Sequence, residues 1–209
     1  MFHYTLLLKK NRLVIYLCSI LLLSACSIFK PIKRESLHYY TVTTTPPVCR
    51  HAKHGARSTI LVTQPRSNAI YSNTRMIYIP DCYQLQYFIH NRWADTPPHM
   101  LHPLLIRSLQ NTGYFQALIN TPTTTRYDWI LNTQLLSFQQ EFLTQPSQFR
   151  IAIRAQLINA HTSRIIATQD FMVTKKAPIA NPHGGAIAAN LATQKILWKI
   201  SHFCLQNTA

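Results

Sequence analysis

Carboxylates are so scarce in this chain that its cysteines and histidines are the residues best suited to chemistry. Cys26 ends the run Leu23-Ser24-Ala25-Cys26, after an apolar stretch from Leu13 to Leu23 that follows Lys9, Lys10 and Arg12. A cationic start, a short apolar core and small residues before a cleavage point make a secretory signal. The apolar stretch covers about a dozen residues, whereas a spanning helix needs ~20. Cys49-Arg50-His51-Ala52-Lys53-His54 puts three potential metal ligands, Cys49, His51 and His54, close together. Zinc would need a fourth ligand and a rigid frame, and Arg50, Lys53 and Arg57 repel a cation, so this segment reads as a solvated loop. His99 and His102 share a helical face, but with no acid between them they lack the zincin pattern and read as surface histidines. The six acidic residues, Glu35, Asp81, Asp95, Asp128, Glu141 and Asp170, are scattered and form no evident acid/base pair. There is no Gly-x-Ser-x-Gly elbow, and with four glycines there is no phosphate loop. The expectation is a protein without catalytic residues, cofactor or bound metal.

Leu23-Ser24-Ala25-Cys26 resembles the lipobox of bacterial lipoproteins. That resemblance implies cleavage between Ala25 and Cys26, a diacylglycerol on the Cys26 thiol and an acylated new amino terminus. Several acyl chains hold a domain to a membrane far more firmly than one. In enteric-type lipoproteins an Asp after the cysteine retains the protein in the inner membrane. Ser27 in that position therefore implies the outer membrane, inner leaflet, facing the periplasm. The expected organisation is a signal peptide at 1–25, a tether at 26–36 and one domain at 37–209. Lys30, Lys33 and Arg34 in the tether are placed to lie on anionic head groups.

The whole chain carries a net charge of +15, and losing Lys9, Lys10 and Arg12 leaves +12. Such a balance attracts polyanions. Behind a secretory signal those are lipid head groups or an acidic partner rather than nucleic acid. A high proteome-wide pI accounts for the charge equally well. The hydrophobic fraction of 47% excludes a disordered chain. With Cys26 lipidated, Cys49, Cys82 and Cys204 remain in an oxidising compartment, enough for one disulfide of unassigned pairing.

The elements that would position these residues follow from periodicity. Leu37 to Thr43, Ser58 to Thr63, Ala69 to Tyr71, Arg75 to Ile79, Tyr83 to His90 and Tyr114 to Ile119 read as strands. Tyr127 to Phe142, Phe149 to Leu157 and Arg164 to Thr174 read as an antiparallel meander. In its middle strand Phe149, Ile151, Ile153, Ala155 and Leu157 alternate with Arg150, Ala152, Arg154 and Gln156, so one face is buried and one wet. A helix begins at Thr96-Pro97-Pro98 and stops at Asn111 to Gly113, with Pro103 placed to kink it or delay its start. A second begins at Asn181-Pro182, with Leu191 and Trp198 widening its apolar face. The class is α+β: a mostly antiparallel sheet with two main amphipathic helices packed on it, in a single domain. Its strand edges need covering, which leaves a homo-oligomer open.

Arg92-Trp93-Ala94 is the sharpest local feature. Trp93 either faces a partner or packs against the following helix, with Arg92 solvated or paired to Asp95. The order Tyr39-Tyr40-Thr41, Arg75-Met76-Ile77-Tyr78, Tyr83 to Phe88, Arg92-Trp93-Ala94, Pro97-Pro98 and Leu101, ending in an Ala-rich helix, resembles the auxiliary lipoproteins of ABC-type transport systems. The resemblance covers the chain beyond the signal, with Pro103 and the Cys49 to His54 loop as departures. It implies a non-enzymatic docking module for moving lipids between inner and outer membranes. Its implied partners are an MCE-domain (mammalian cell entry) protein and an inner-membrane permease and ATPase, which would supply the missing phosphate loop. It also marks Arg92, Trp93, Ala94 and Pro98 as motif residues, either interfacial or structural. An outer-membrane assembly lipoprotein for lipopolysaccharide or a secretion complex is the alternative.

Overall fold

The computed structural model describes residues 36–44, 58–121 and 125–208. Cys26 and its signal, the tether up to residue 35, and the Cys49 to His54 loop lie outside the described residues. The strands in order are β1 (His38–Tyr40), β2 (Thr59–Val62), β3 (Arg66–Ser67), β4 (Arg75–Ile79) and β5 (Gln86–Trp93). Helix α1 (Pro97–Gln110) follows, then β6 (Ala117–Ile119), β7 (Trp129–Glu141), β8 (Gln148–Asn159), β9 (Arg164–Lys176) and helix α2 (Pro182–Thr208).

Strand β7 is the spine of the sheet. Along one edge it pairs antiparallel with β8, which pairs antiparallel with β9. That is the expected meander, and the period-two pattern of β8 gives it one buried face. Phe149, Ile151, Ile153, Ala155 and Leu157 are all within 1% of full burial, while Arg150, Arg154 and Gln156 point to the opposite face. Along its other edge β7 carries three short strands in succession, all parallel to it. Val62 lies opposite Leu131, Arg66 opposite Gln134, and Tyr78 opposite Gln140. Beyond these the sheet forks: β6 continues from β2, and β5 then β1 continue from β4.

The sheet is therefore mixed rather than mostly antiparallel. Five of its eight ladders are parallel among the described residues. Parallel neighbours need intervening crossover chain. Here β5, α1 and β6 intervene before the chain enters β7. Local periodicity reports which face of a strand is buried, not which strand lies beside it, so these pairings carry no sequence signature.

Smaller differences have local causes. Ala69–Tyr71 is a 3-10 turn, not a strand. In β7 a bulge between Leu135 and Ser137 shifts the phase of the pattern. Leu131, Thr133 and Leu135 are buried before it, Phe138 and Gln140 after it. β9 runs through Lys176, two residues past the expected end at Thr174. Helix α1 starts at Pro97 and keeps Pro103 inside it; both Pro103 and His99, whose carbonyl loses its intrahelical donor, are exposed. Gly113 takes φ +64° just after that helix, a conformation glycine adopts without Cβ cost.

Both helices lie on the buried face of the meander. Leu101, Leu105 and Leu109 of α1 join Ile196, Leu197, Ile200 and Cys204 of α2 in one core. The helices are also joined through Ser108 and Ser201, whose hydroxyls lie 2.7 Å apart. Asn181 caps α2, its Oδ1 accepting the Gly184 N–H at 2.8 Å, and Pro182 is the first helical residue, as expected. Thr96 holds the N-cap position of α1 but makes no side-chain cap. Instead Asp95 Oδ1 accepts the Thr96 N–H at 2.6 Å.

Candidate functional site

The motif Arg92-Trp93-Ala94 closes β5 where β1, β4 and α1 converge. The Trp93 N–H donates to Thr74 O and the Ala94 N–H to Tyr40 O, both at 2.7 Å. The second bond ties β1 to the motif. Trp93 itself is 1% exposed. Its ring lies 5.1 Å from Phe138 and 6.1 Å, edge-on, from Phe149. Arg92 neither floats in solvent nor pairs with Asp95. Its Nη1 donates to Phe88 O at 2.6 Å and Asn91 O at 2.9 Å, gripping its own strand. Pro97 and Pro98 are buried. The motif residues thus hold strands to one another and to the core, and Trp93 presents no surface to a partner.

The sheet face away from the helices carries the polar chemistry. Arg154 pairs bidentately with Asp170, at 2.7 and 2.8 Å across β8 and β9. These hydrogen bonds, more than the ion-pair attraction, hold the Asp170 carboxyl below its ordinary range and raise the Arg154 guanidinium. A second network starts at Tyr71, whose hydroxyl donates to Gln139 Oε1 at 2.7 Å. Gln139 Nε2 donates to Glu141 Oε1 at 3.0 Å, and Arg150 Nη2 to Glu141 Oε2 at 2.9 Å. Burial, ahead of its neighbours' charges, raises the Tyr71 hydroxyl pKa. Beside the Arg154–Asp170 pair, Thr63, Arg66, Asn132, Gln134, Arg154 and Gln156 line a concavity of about 170 Å³.

Donors dominate this face, and no nucleophile stands beside a base in it. What it can do is bind polar or anionic groups. Sequence reading missed Gln139, Glu141 and Arg66. The signal was present for the pair Glu141 and Arg150, polar residues of opposite charge on strands expected to be antiparallel neighbours.

The other candidates separate. His99 lies 3.3 Å from Asp95 at the surface. His102 is half-buried rather than a surface residue, and its Nε2 lies 2.9 Å from Val62 O, joining α1 to β2. Among the described residues no group of three or more His, Cys, Asp or Glu is placed to hold a metal ion. Among the same residues no helix is long and apolar enough to cross a membrane. Cys82 is exposed and Cys204 buried, both as free thiols. Burial pushes the Cys204 thiol up to about 12, so it is inert in the folded chain.

With fold and motif in place, comparison with known proteins defines the class. Residues 40–200 match the family model described as the ABC-type transport auxiliary lipoprotein component. The chain belongs to that family. It is accordingly an auxiliary lipoprotein of the cell envelope, in a family that is accessory rather than catalytic. Protein XCC0632 from Xanthomonas campestris shares the fold at a TM-score of 0.70 and 19% identity, covering 83% of this chain and 96% of its own. The hypothetical protein CT253 from Chlamydia trachomatis does so at 0.51 and 8%, covering 73% of this chain and 98% of its own. No curated protein sequence matches the chain.

Proposed function

We propose that this protein is a lipid-anchored docking module of an intermembrane lipid-transport system. Cys26 carries the anchor, Ser27 directs the chain to the inner leaflet of the outer membrane, and the folded domain faces the periplasm. There it receives an MCE-domain protein whose permease and ATPase lie in the inner membrane. The observation that carries the reading is the family match over residues 40–200 standing behind Leu23-Ser24-Ala25-Cys26. The basic surface and the donor-rich sheet face support a binding role.

Extraction of the full chain from membranes in mild detergent tests the partner: an MCE-domain protein should co-purify stoichiometrically. Its absence from the complex would overturn the transport reading. Separately, Cys26→Ala should release the protein from the outer-membrane fraction or leave it uncleaved in the inner membrane. Unchanged outer-membrane fractionation of that variant after high-salt washing would show that acylation is not the attachment.

A further inference from the structure

Strand β9 pairs only with β8 among the described residues and so ends the sheet along 13 residues. Such an edge leaves every second N–H and C=O turned outward and unpaired. Apart from Ala167, Phe171 and Val173, its residues are exposed, including the apolar Ile165, Ile166 and Met172. Helix α2 runs antiparallel beside it, and two hollows of about 320 Å³ each lie between or beside them. They meet at Trp198, which lines both.

The groove they form has an apolar floor and a cationic rim. Phe171 and Phe203 stack edge-on at 5.7 Å beneath it. Trp198 has two neighbours on its own helix: Lys195 Nζ lies 4.5 Å over its ring and the His202 ring 4.0 Å away. Lys175, Lys195 and Lys199 line the rim. The carboxylate there, Asp170, is already engaged by Arg154. From Gln169 to Lys175 a strand advances about 20 Å, and from Leu191 to Gln206 a helix advances about 22 Å. The two walls match in length and accommodate an extended segment of about six residues.

We propose that the β9 edge and the α2 groove form a docking site for an extended acidic peptide segment of a partner protein, added to the sheet as one more strand. The unpaired backbone supplies the hydrogen bonds, Trp198 and the aromatic floor take alternate apolar side chains, and the lysines take carboxylates. The β9 edge of a second copy is the wrong occupant. Antiparallel pairing of two β9 edges sets Arg164 of one copy against Lys175 and Lys176 of the other, and parallel pairing aligns the lysines with each other; like charges opposite each other destabilise a sheet. A lipid surface could use the lysines but not the row of alternating N–H and C=O groups. The inference stands apart from the transport reading, because it concerns how a segment is held, whichever envelope protein supplies it.

The test is selection of a displayed library of random ten-residue peptides on the full chain purified in detergent. The expected winners are acidic and alternate apolar with polar residues. N-methylation of alternate amides in one register should weaken them tenfold or more, and in the other register hardly at all. Lys195→Glu with Lys199→Glu should also weaken them tenfold or more, with an unchanged urea midpoint showing an intact fold. Any of four results would overturn the proposal: no enrichment over an unrelated protein, enrichment of basic peptides, indifference to N-methylation in both registers, or indifference to the lysine reversals. If the reversals instead abolish only binding to phosphatidylglycerol vesicles, the lysines face a membrane and the peptide site is refuted.

Discussion

Trp93 and Trp198 mark two regions of the molecule built on opposite terms. Trp93 belongs to the most recognisable motif in the chain, yet it is sealed between Phe138 and Phe149 with 1% of its surface exposed. Trp198 belongs to no motif. It sits half-exposed between Lys195 and His202, with hollows on both sides. The motif belongs to the frame: a tryptophan that fixes β5 against the core, and the backbone bonds that hold β1 and the start of β4 beside it. The accessible surface is assembled from a strand edge and a helix flank that come together only on folding. A strong local motif here is a mark of architecture, and the place to look for partners is away from it.

Substituting the two tryptophans separates these regions directly. Trp93→Ala should cost about 3–5 kcal/mol, the range for emptying a buried aromatic site, and should appear as a large fall in the urea midpoint. The joint between α2 and the segment leading into it comes next. A Cβ at Gly184 would lie 2.0 Å from the Ile179 carbonyl oxygen, and backbone cannot swing aside as a side chain does. Gly184→Ala should therefore cost about 1–3 kcal/mol, as overpacking does, with loss measured by thermal melting. Trp198→Ala should cost about 1 kcal/mol or less, since it removes a cation–π contact and little packing. A cost for Trp198→Ala equal to that of Trp93→Ala would erase the distinction between frame and surface.

The same division governs how much was legible beforehand. The buried face of β8 could be read from Phe149 to Leu157, because strict alternation admits one solution when one side is wet. The start of α2 could be read from Asn181 and Pro182, because capping chemistry is local. Gly184-Gly185 at that start is a readable sign of close backbone approach. The parallel pairing of β2, β3 and β4 with β7 was not readable, since register between distant segments leaves no trace in either one. Trp198 and Leu191 were expected to widen the apolar face of α2. They lie at its rim because the sheet ends at β9 and leaves that flank of the helix uncovered. Of the candidate site, the sequence marks Trp93 but does not decide between burial and exposure for it. The network from Tyr71 through Gln139 and Glu141 to Arg150 depends on the bulge after Leu135, which no periodicity announces.

Asp128 tests whether an exposed clasp between these regions matters at all. Its Oδ2 accepts the Thr59 N–H at 2.7 Å, and its Oδ1 lies 3.0 Å from His161 Nε2. The carboxylate thereby joins β2 to the turn between β8 and β9, the parallel flank of the sheet to the antiparallel one. The Thr59 hydrogen bond first, and His161 second, hold its carboxyl below the ordinary aspartate range. A group whose pKa is lowered by folding stabilises the fold above its unfolded value, near ~pH 4. That contribution is lost as pH falls through the lower folded value. The gap in urea midpoint between the wild type and Asp128→Asn should thus be present above about pH 5 and narrow as pH falls below that. With about 40% of its side chain exposed, the group is largely screened by solvent, so this effect should be the smallest of the set. A gap that persists undiminished at acid pH would mean the charge of Asp128 contributes nothing, and that the difference between Asp and Asn lies in the contacts of the neutral side chain.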